Sequence, residues 1–135
     1  MSYIVRSGIL MLEVMLPGAA RQIVSVFLPG DVMCTNFVPP EAEAALVVAG
    51  AGEIWRLRTS ALHALVGQPA IGGYLERTVA SRTARHAIHT VMLGRFDCEQ
   101  KLATLFVELA LRTGVWSPGG AVAFDLRFSR QDIAD

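Results

Sequence analysis

The sequence predicts an α+β chain in which antiparallel strands come first and helices follow. Three observations predict it. Up to about Arg58, short apolar runs with the two-residue period of strands are bounded by Pro-Gly and Gly-rich turns. From about Pro69 to Thr113, apolar residues recur every three or four positions, the period of a helix. The later helical stretches open on proline or on a capping pair, as helix starts do.

The first strand region covers Tyr3 to Leu16, and Gly8 marks a bend or bulge in it. Pro17-Gly18-Ala19-Ala20 is a turn, because proline presets φ and glycine accepts φ > 0. Arg21 to Leu28 alternates, with Ile23, Ser25 and Phe27 on one face and Val24, Val26 and Leu28 on the other. Both faces are apolar enough to be covered. Pro29-Gly30-Asp31 closes the strand, and Cys34 to Pro40 reads as loop. Ala44–Val48 and Glu53–Leu57 read as a hairpin turning at Gly50-Ala51-Gly52. Thr59 or Ser60 caps a short helix over Ala61 to Val66.

Pro69 opens a long helix reaching about Leu93, where Gly94 interrupts the pattern. Ile71, Leu75, Val79, Arg82, His86, His89 and Leu93 form one stripe along it. A rod of roughly 36 Å is too long for a small core to cover, so the stripe is expected to pack against the same helix of a second chain. Asp97 with Gln100 is a capping box for the next helix. Leu102, Leu105, Phe106, Leu109 and Ala110 are its buried face, and Gly114 its stop. Trp116 to Gly120 is loop, and Phe124 to Phe128 alternates as a strand. Ser129-Arg130-Gln131-Asp132 is a further capping box, opening a helix at Ile133.

Hydrophobic residues are 53% of the 135, and mean hydropathy is +0.44, so some apolar surface is expected to meet a partner. A membrane span is not: Glu13 breaks the most apolar stretch, and no window approaches ~20 clean apolar residues. No signal-peptide pattern opens the chain, so a cytoplasmic protein is expected. Net charge is zero, which argues against this chain gripping DNA alone, since neutralising phosphates dominates such affinity. Cys34 and Cys98 are too few for a disulfide framework.

Three segments carry a family resemblance. Ser7-Gly8 with Arg21-Gln22-Ile23 and Leu28-Pro29-Gly30-Asp31 resembles the paired β-roll strands and Pro-Gly-Asp turn of Crp/Fnr sensor domains. Leu93-Gly94-Arg95 with Glu99-Gln100-Lys101-Leu102-Ala103 resembles the junction between dimer helix and DNA-binding domain. Phe124-Asp125-Leu126 with Ser129-Arg130-Gln131-Asp132-Ile133-Ala134-Asp135 resembles the strand and first helix before the helix-turn-helix. The likeness is greater to the Fnr-like than to the cyclic-AMP-binding branch.

The resemblance implies a jelly-roll-like antiparallel β-roll of the cyclic-nucleotide-binding kind over residues 1–68, and a dimerisation helix over 69–95. It implies the N-terminal part of a winged helix-turn-helix over 96–135. Relative to the family pattern, the first β-roll strands and the recognition helix are missing, so a truncated regulator is expected. The resemblance implies DNA as partner of the intact family member, and a homodimer. A signal in the β-roll would repack the two long helices, with Gly94 as hinge. Ser129, Arg130 and Gln131 mark where the DNA-binding motif starts. The alternative is a free-standing dimerisation module that modulates an intact relative.

The candidate sites are weaker. A cyclic-nucleotide pocket needs a glycine-led helix and an arginine for the phosphate. No arginine lies between Asp31 and Trp55, Glu41 and Glu43 would repel a phosphate, and Gly52-Glu53-Ile54 with Arg56-Leu57-Arg58 does not complete the pattern. An iron–sulfur cluster needs four thiolates, and only Cys34 lies near a ligand position. His86 and His89, three apart on a helix face, lack a third metal ligand. As neutral imidazoles they could still make dimerisation sensitive to acid. Arg77, Arg82 and Arg85 read as a solvated face near Glu76. No catalytic motif is present, so no enzyme, no metal and no cofactor are expected, and nothing marks the effector.

Overall fold

In the computed structural model the described residues are all but 19, 36, 37, 39–41 and 135. The chain runs β1 (Ser2–Leu16), β2 (Ala20–Phe27), β3 (Val32–Cys34), β4 (Ala44–Leu57), α1 (Thr59–Val66), α2 (Pro69–Arg95), α3 (Cys98–Thr113), β5 (Val115–Trp116), β6 (Val122–Ala123) and α4 (Arg130–Ala134). It divides into two compact units. One holds Met1–Gly72 together with Arg127–Asp135, the other Gly73–Leu126.

In the first unit β1 is the central strand, and β2, β3 and β4 all pair with it antiparallel. Leu10 to Leu16 face β2, and Ser2 to Ile4 face β3 on the same edge; β4 follows the opposite edge from Ser2 to Val14. Strands fed by alternating apolar residues bury one face. Val5, Leu10, Phe27 and Met33 form the core, with Tyr3, Leu12, Val38, Leu46 and Ile54 packed on it. The Pro-Gly-Asp turn is held by its aspartate: the buried Asp31 carboxylate accepts from the Leu28 N–H at 2.9 Å, and Gly30 takes φ 91°.

The hairpin expected at Gly50-Ala51-Gly52 is not a hairpin. Both halves belong to β4 and pair with β1 rather than with each other, Leu46 facing Leu12 and Ile54 facing Val5. The glycines lie opposite Gly8, where the register shifts. Gly8 takes φ 82°, and a Cβ there would stand 2.7 Å from the Gly52 Cα. The two strands therefore bend together, and glycines at the bend let the ladder continue through a bulge. Turn chemistry and bulge chemistry use the same residue, which is why the pattern misleads.

Other elements differ less. The short β3 takes Cys34, expected to open a loop, together with Val32 and Met33, for which the sequence pattern names no element. Val24 on β2 is 42% exposed, so the strand is not covered on both sides along its length. Helix α1 starts at Thr59 after Arg58, with no side-chain cap; the Thr59 hydroxyl instead accepts from Ser2 at 3.1 Å. The Ala19 turn position and Asn36, Phe37, Pro39 and Pro40 of the expected loop lie outside the described residues, as does Glu41.

In the second unit α3 is capped as its sequence requires. Asp97 accepts from the Gln100 N–H at 2.9 Å, and the Gln100 side chain accepts from the Asp97 N–H at 3.1 Å. Leu109 and Ala110 are buried; Leu102, Leu105 and Phe106 are half-buried, with Phe106 against Phe124 at 6.1 Å between ring centroids. Gly114 ends the helix in extended backbone, not the left-handed form usual after a helix. Glycine is needed for space instead: a Cβ would meet Ala110 O and Val122 Cγ2. Val115–Trp116 pairs with Val122–Ala123, a small hairpin the sequence pattern hides. Phe124 to Phe128 forms no strand, because no strand among the described residues pairs with it.

Candidate functional site

Helix α2 spans 27 residues and runs through Gly94 without a break. At ~1.5 Å per residue it is roughly 40 Å long. Met92 alone is fully buried on it among the described residues. Of the expected stripe, Ile71, Leu75 and Arg82 are half-buried, while Val79, His86, His89 and Leu93 are exposed. Val79 stands 60% open and Leu93 74%.

Sequence spacing missed three further exposed apolar residues, Tyr74, Ile88 and Val91. At about 100° per residue, Ile88 points away from Val79, on the opposite side of the helix. Ala80, Ala84, Ala87 and Val91, spaced four, three and four apart, are also exposed. Counting small residues as apolar would have shown this second side.

Charge clusters where α2 meets α3. Arg85 reaches Glu108 at 3.4 Å and donates to Ser81 Oγ at 2.7 Å, and Arg112 stands 3.9 Å from the same glutamate. These residues are partly covered, so Arg82 and Arg85 are not merely a solvated face. His86 sits beside them. Desolvation holds its pKa below the ordinary imidazole value; Arg82, His89 and Arg85 add to this, and Glu108 opposes it. His86 therefore resists taking a proton. No group of three His, Cys, Asp or Glu able to hold a metal occurs among the described residues.

In the β-roll, Glu53 is occupied. It accepts from Trp55 Nε1 at 2.7 Å and from Arg6 Nη1 at 3.0 Å, and the Arg6 guanidinium lies 5.4 Å over the Trp55 ring. The Trp55 bond, then Arg6, keeps its carboxyl below the usual range. The Gly52-Glu53-Ile54 segment is thus strand, with its carboxylate committed to an arginine of β1. Cys34 is half-buried with its sulfur 3.2 Å from Ser2 Oγ, and Cys98 is exposed. Ser129, Arg130 and Gln131 lie exposed at the start of α4, where Ser129 and Asp132 cap each other. No helix among the described residues is long and apolar enough to cross a membrane.

No family model matches the chain. A nitrogen fixation regulation protein, FixK of Azorhizobium caulinodans, is 28% identical over 134 residues, covering 98% of this chain and 54% of FixK. The chain thus spans about half the length of that relative. Among solved structures, FixK2 of Bradyrhizobium japonicum matches with TM-score 0.73 and 25% identity, over 98% of this chain and 65% of FixK2. A cyclic nucleotide-binding domain containing protein of Listeria monocytogenes matches with TM-score 0.75 at 14% identity, over 98% and 64%. At that identity the likeness concerns the fold, which is the cyclic-nucleotide-binding-domain fold followed by helices.

Proposed function

We propose that this chain, a member of the Crp/Fnr regulators by its fold and its likeness to FixK, supplies the sensor and dimerisation region of a transcription regulator. Two copies pair through α2. The observation that carries this is a 27-residue helix with one buried residue and apolar side chains left open along it. Exposed apolar area of that kind is a contact waiting for a partner. The Gly94 position, within continuous helix, then serves as a stiff connection to α3 rather than as a free hinge. The protein works in the cytoplasm, where such a regulator meets DNA.

The β-roll of this chain does not use cyclic nucleotide as its signal. Glu53 is committed to Arg6 and Trp55, and no arginine lies on the stretch from Asp31 to Trp55 to meet a phosphate. With zero net charge, the 135 residues do not by themselves hold DNA tightly or read its sequence.

The test is sedimentation velocity with a DNA-binding assay on the same sample. The expected mass is twice the 14.6 kDa of one chain, falling to one chain on dilution. Discrimination between a palindromic site and random DNA is expected to stay below about tenfold at physiological salt. A monomer at every concentration sinks the pairing, and clear sequence preference sinks the second claim.

A further inference from the structure

The segment after the second unit returns to the first. Arg127–Asp135 groups with the β-sheet, and two arginines fasten it there. Arg127 donates through Nη1 to the Ala51 carbonyl, and its methylenes lie along Gly50. Arg21 of β2 does more. Its Nη1 donates to Glu13 Oε1 at 3.1 Å, and its Nη2 to Asp132 Oδ1 at 2.9 Å. One guanidinium thus joins a carboxylate of the sheet to a carboxylate of α4, 111 residues further along the chain.

The geometry is built rather than incidental. Glu13 sits where β1 and β2 slip register: Leu12 faces Ser25 but Glu13 faces Ile23, leaving Val24 as the extra residue. Beyond the bulge Met15 faces Arg21, so Arg21 is the diagonal neighbour of Glu13. The carboxylate side chains of Glu13 and Asp132 are only 10% and 12% exposed, so solvent screens the triad less than an ordinary surface pair. Asp132 divides its two oxygens. Oδ2 caps α4 by accepting from the Ser129 N–H at 2.8 Å, and Oδ1 is left for Arg21. A fork of fixed N–H groups can hold two such acceptors at once; a lysine's single point charge cannot do so with the same directionality.

We propose that Arg21 is a latch, a positioning residue that holds the opening helix of the DNA-reading motif against the sensor sheet through Glu13 and Asp132. Its regulatory meaning rests on the function proposed above; the contact itself does not. Any signal that shifts the bulge at Leu12 and Glu13 moves the guanidinium, and with it the cap of α4. The sensor and the reading motif then communicate directly, besides any path through α2.

Trypsin cleavage of the whole chain tests this, read by mass spectrometry at the bonds after Arg127 and Arg130. Cleavage of a folded protein follows the equilibrium opening of the segment cut. In Arg21→Gln both bonds are expected to be cut about tenfold faster, while cleavage after Arg6 and Arg112 changes less than about twofold. Asp132→Asn keeps an oxygen for the cap and leaves the Arg21–Glu13 pair, so it should release the segment without disturbing the sheet. If Arg21→Gln fails to fold, this variant carries the test alone. The double variant should cut no faster than Arg21→Gln, because both changes open one latch. Unchanged cleavage in Asp132→Asn, or effects that multiply in the double variant, overturns the proposal. Neither dimerisation nor DNA enters the readout, so failure of the regulator reading would leave these results as they stand.

Discussion

Gly8 shows how much one residue can decide. It was legible as a bend in the first strand, since a glycine there packs nothing. Its partner was not, because Gly52 looked like part of a turn. Only pairing geometry shows that the two glycines meet across β1 and β4. Gly8→Ala places a Cβ 2.7 Å from the Gly52 Cα, at φ 82°. Left-handed backbone alone costs a non-glycine residue about 1–3 kcal/mol, and the clash adds to it. Gly18→Ala shares the positive φ, at 86°, but a Cβ there meets nothing within 4 Å. Urea unfolding should therefore show Gly8→Ala as the larger loss. Equal losses would mean that close approach at the bend contributes nothing, and that the strained φ is the whole cost.

At the scale of elements, helices were more legible than strands. Asp97 and Gln100 name both ends of a hydrogen-bonded pair within four residues, so the α3 cap could be read directly and is present. Ser129 and Asp132 behave alike. A strand's identity depends on a partner far along the chain. Val32–Cys34 and Val115–Trp116 are strands because Ser2–Ile4 and Val122–Ala123 pair with them, and nothing local says so. Phe124 to Phe128 alternates well, but no strand among the described residues pairs with it.

The α2–α3 contact is an element-scale property with a pH signature. The folded pKa of His86 is lowered, chiefly by desolvation and then by Arg82, His89 and Arg85, against Glu108. A lowered folded value means the unfolded chain binds the proton more tightly. Stability from this group is then complete above the ordinary value of about 6.5 and is lost as pH falls through the folded value. Replacing His86 by Gln removes that titration and leaves His63, His89 and the carboxylates in place. The urea midpoint of the native chain should fall more between pH 7.5 and pH 5 than that of His86→Gln. Parallel declines would show that His86 titrates alike in both states.

For the whole molecule, the pairing proposed above raises the question of which side of α2 a second copy would cover. The stripe read from the sequence includes Val79; the structure leaves Ile88 open as well, on the other side of the same helix. The two residues are 60% and 57% exposed, so aspartate at either should be tolerated in a single chain. Leu75 would be a poorer probe, because it is half-buried and its loss would mix folding with association. A charge buried at a contact without a partner costs several kcal/mol, enough to raise a dimer's Kd by a hundredfold or more, roughly. Val79→Asp is expected to sediment as a monomer at concentrations where Ile88→Asp remains paired. The opposite outcome would move the seam to the Ala84–Ile88–Val91 side and retire the stripe. Two dimeric variants would place the contact off α2 altogether. The same measurement also weighs the polar middle of the stripe. If Val79 lies in the seam, Arg82 and His86, at the same side of the helix, approach the partner too, and the contact there is polar rather than apolar.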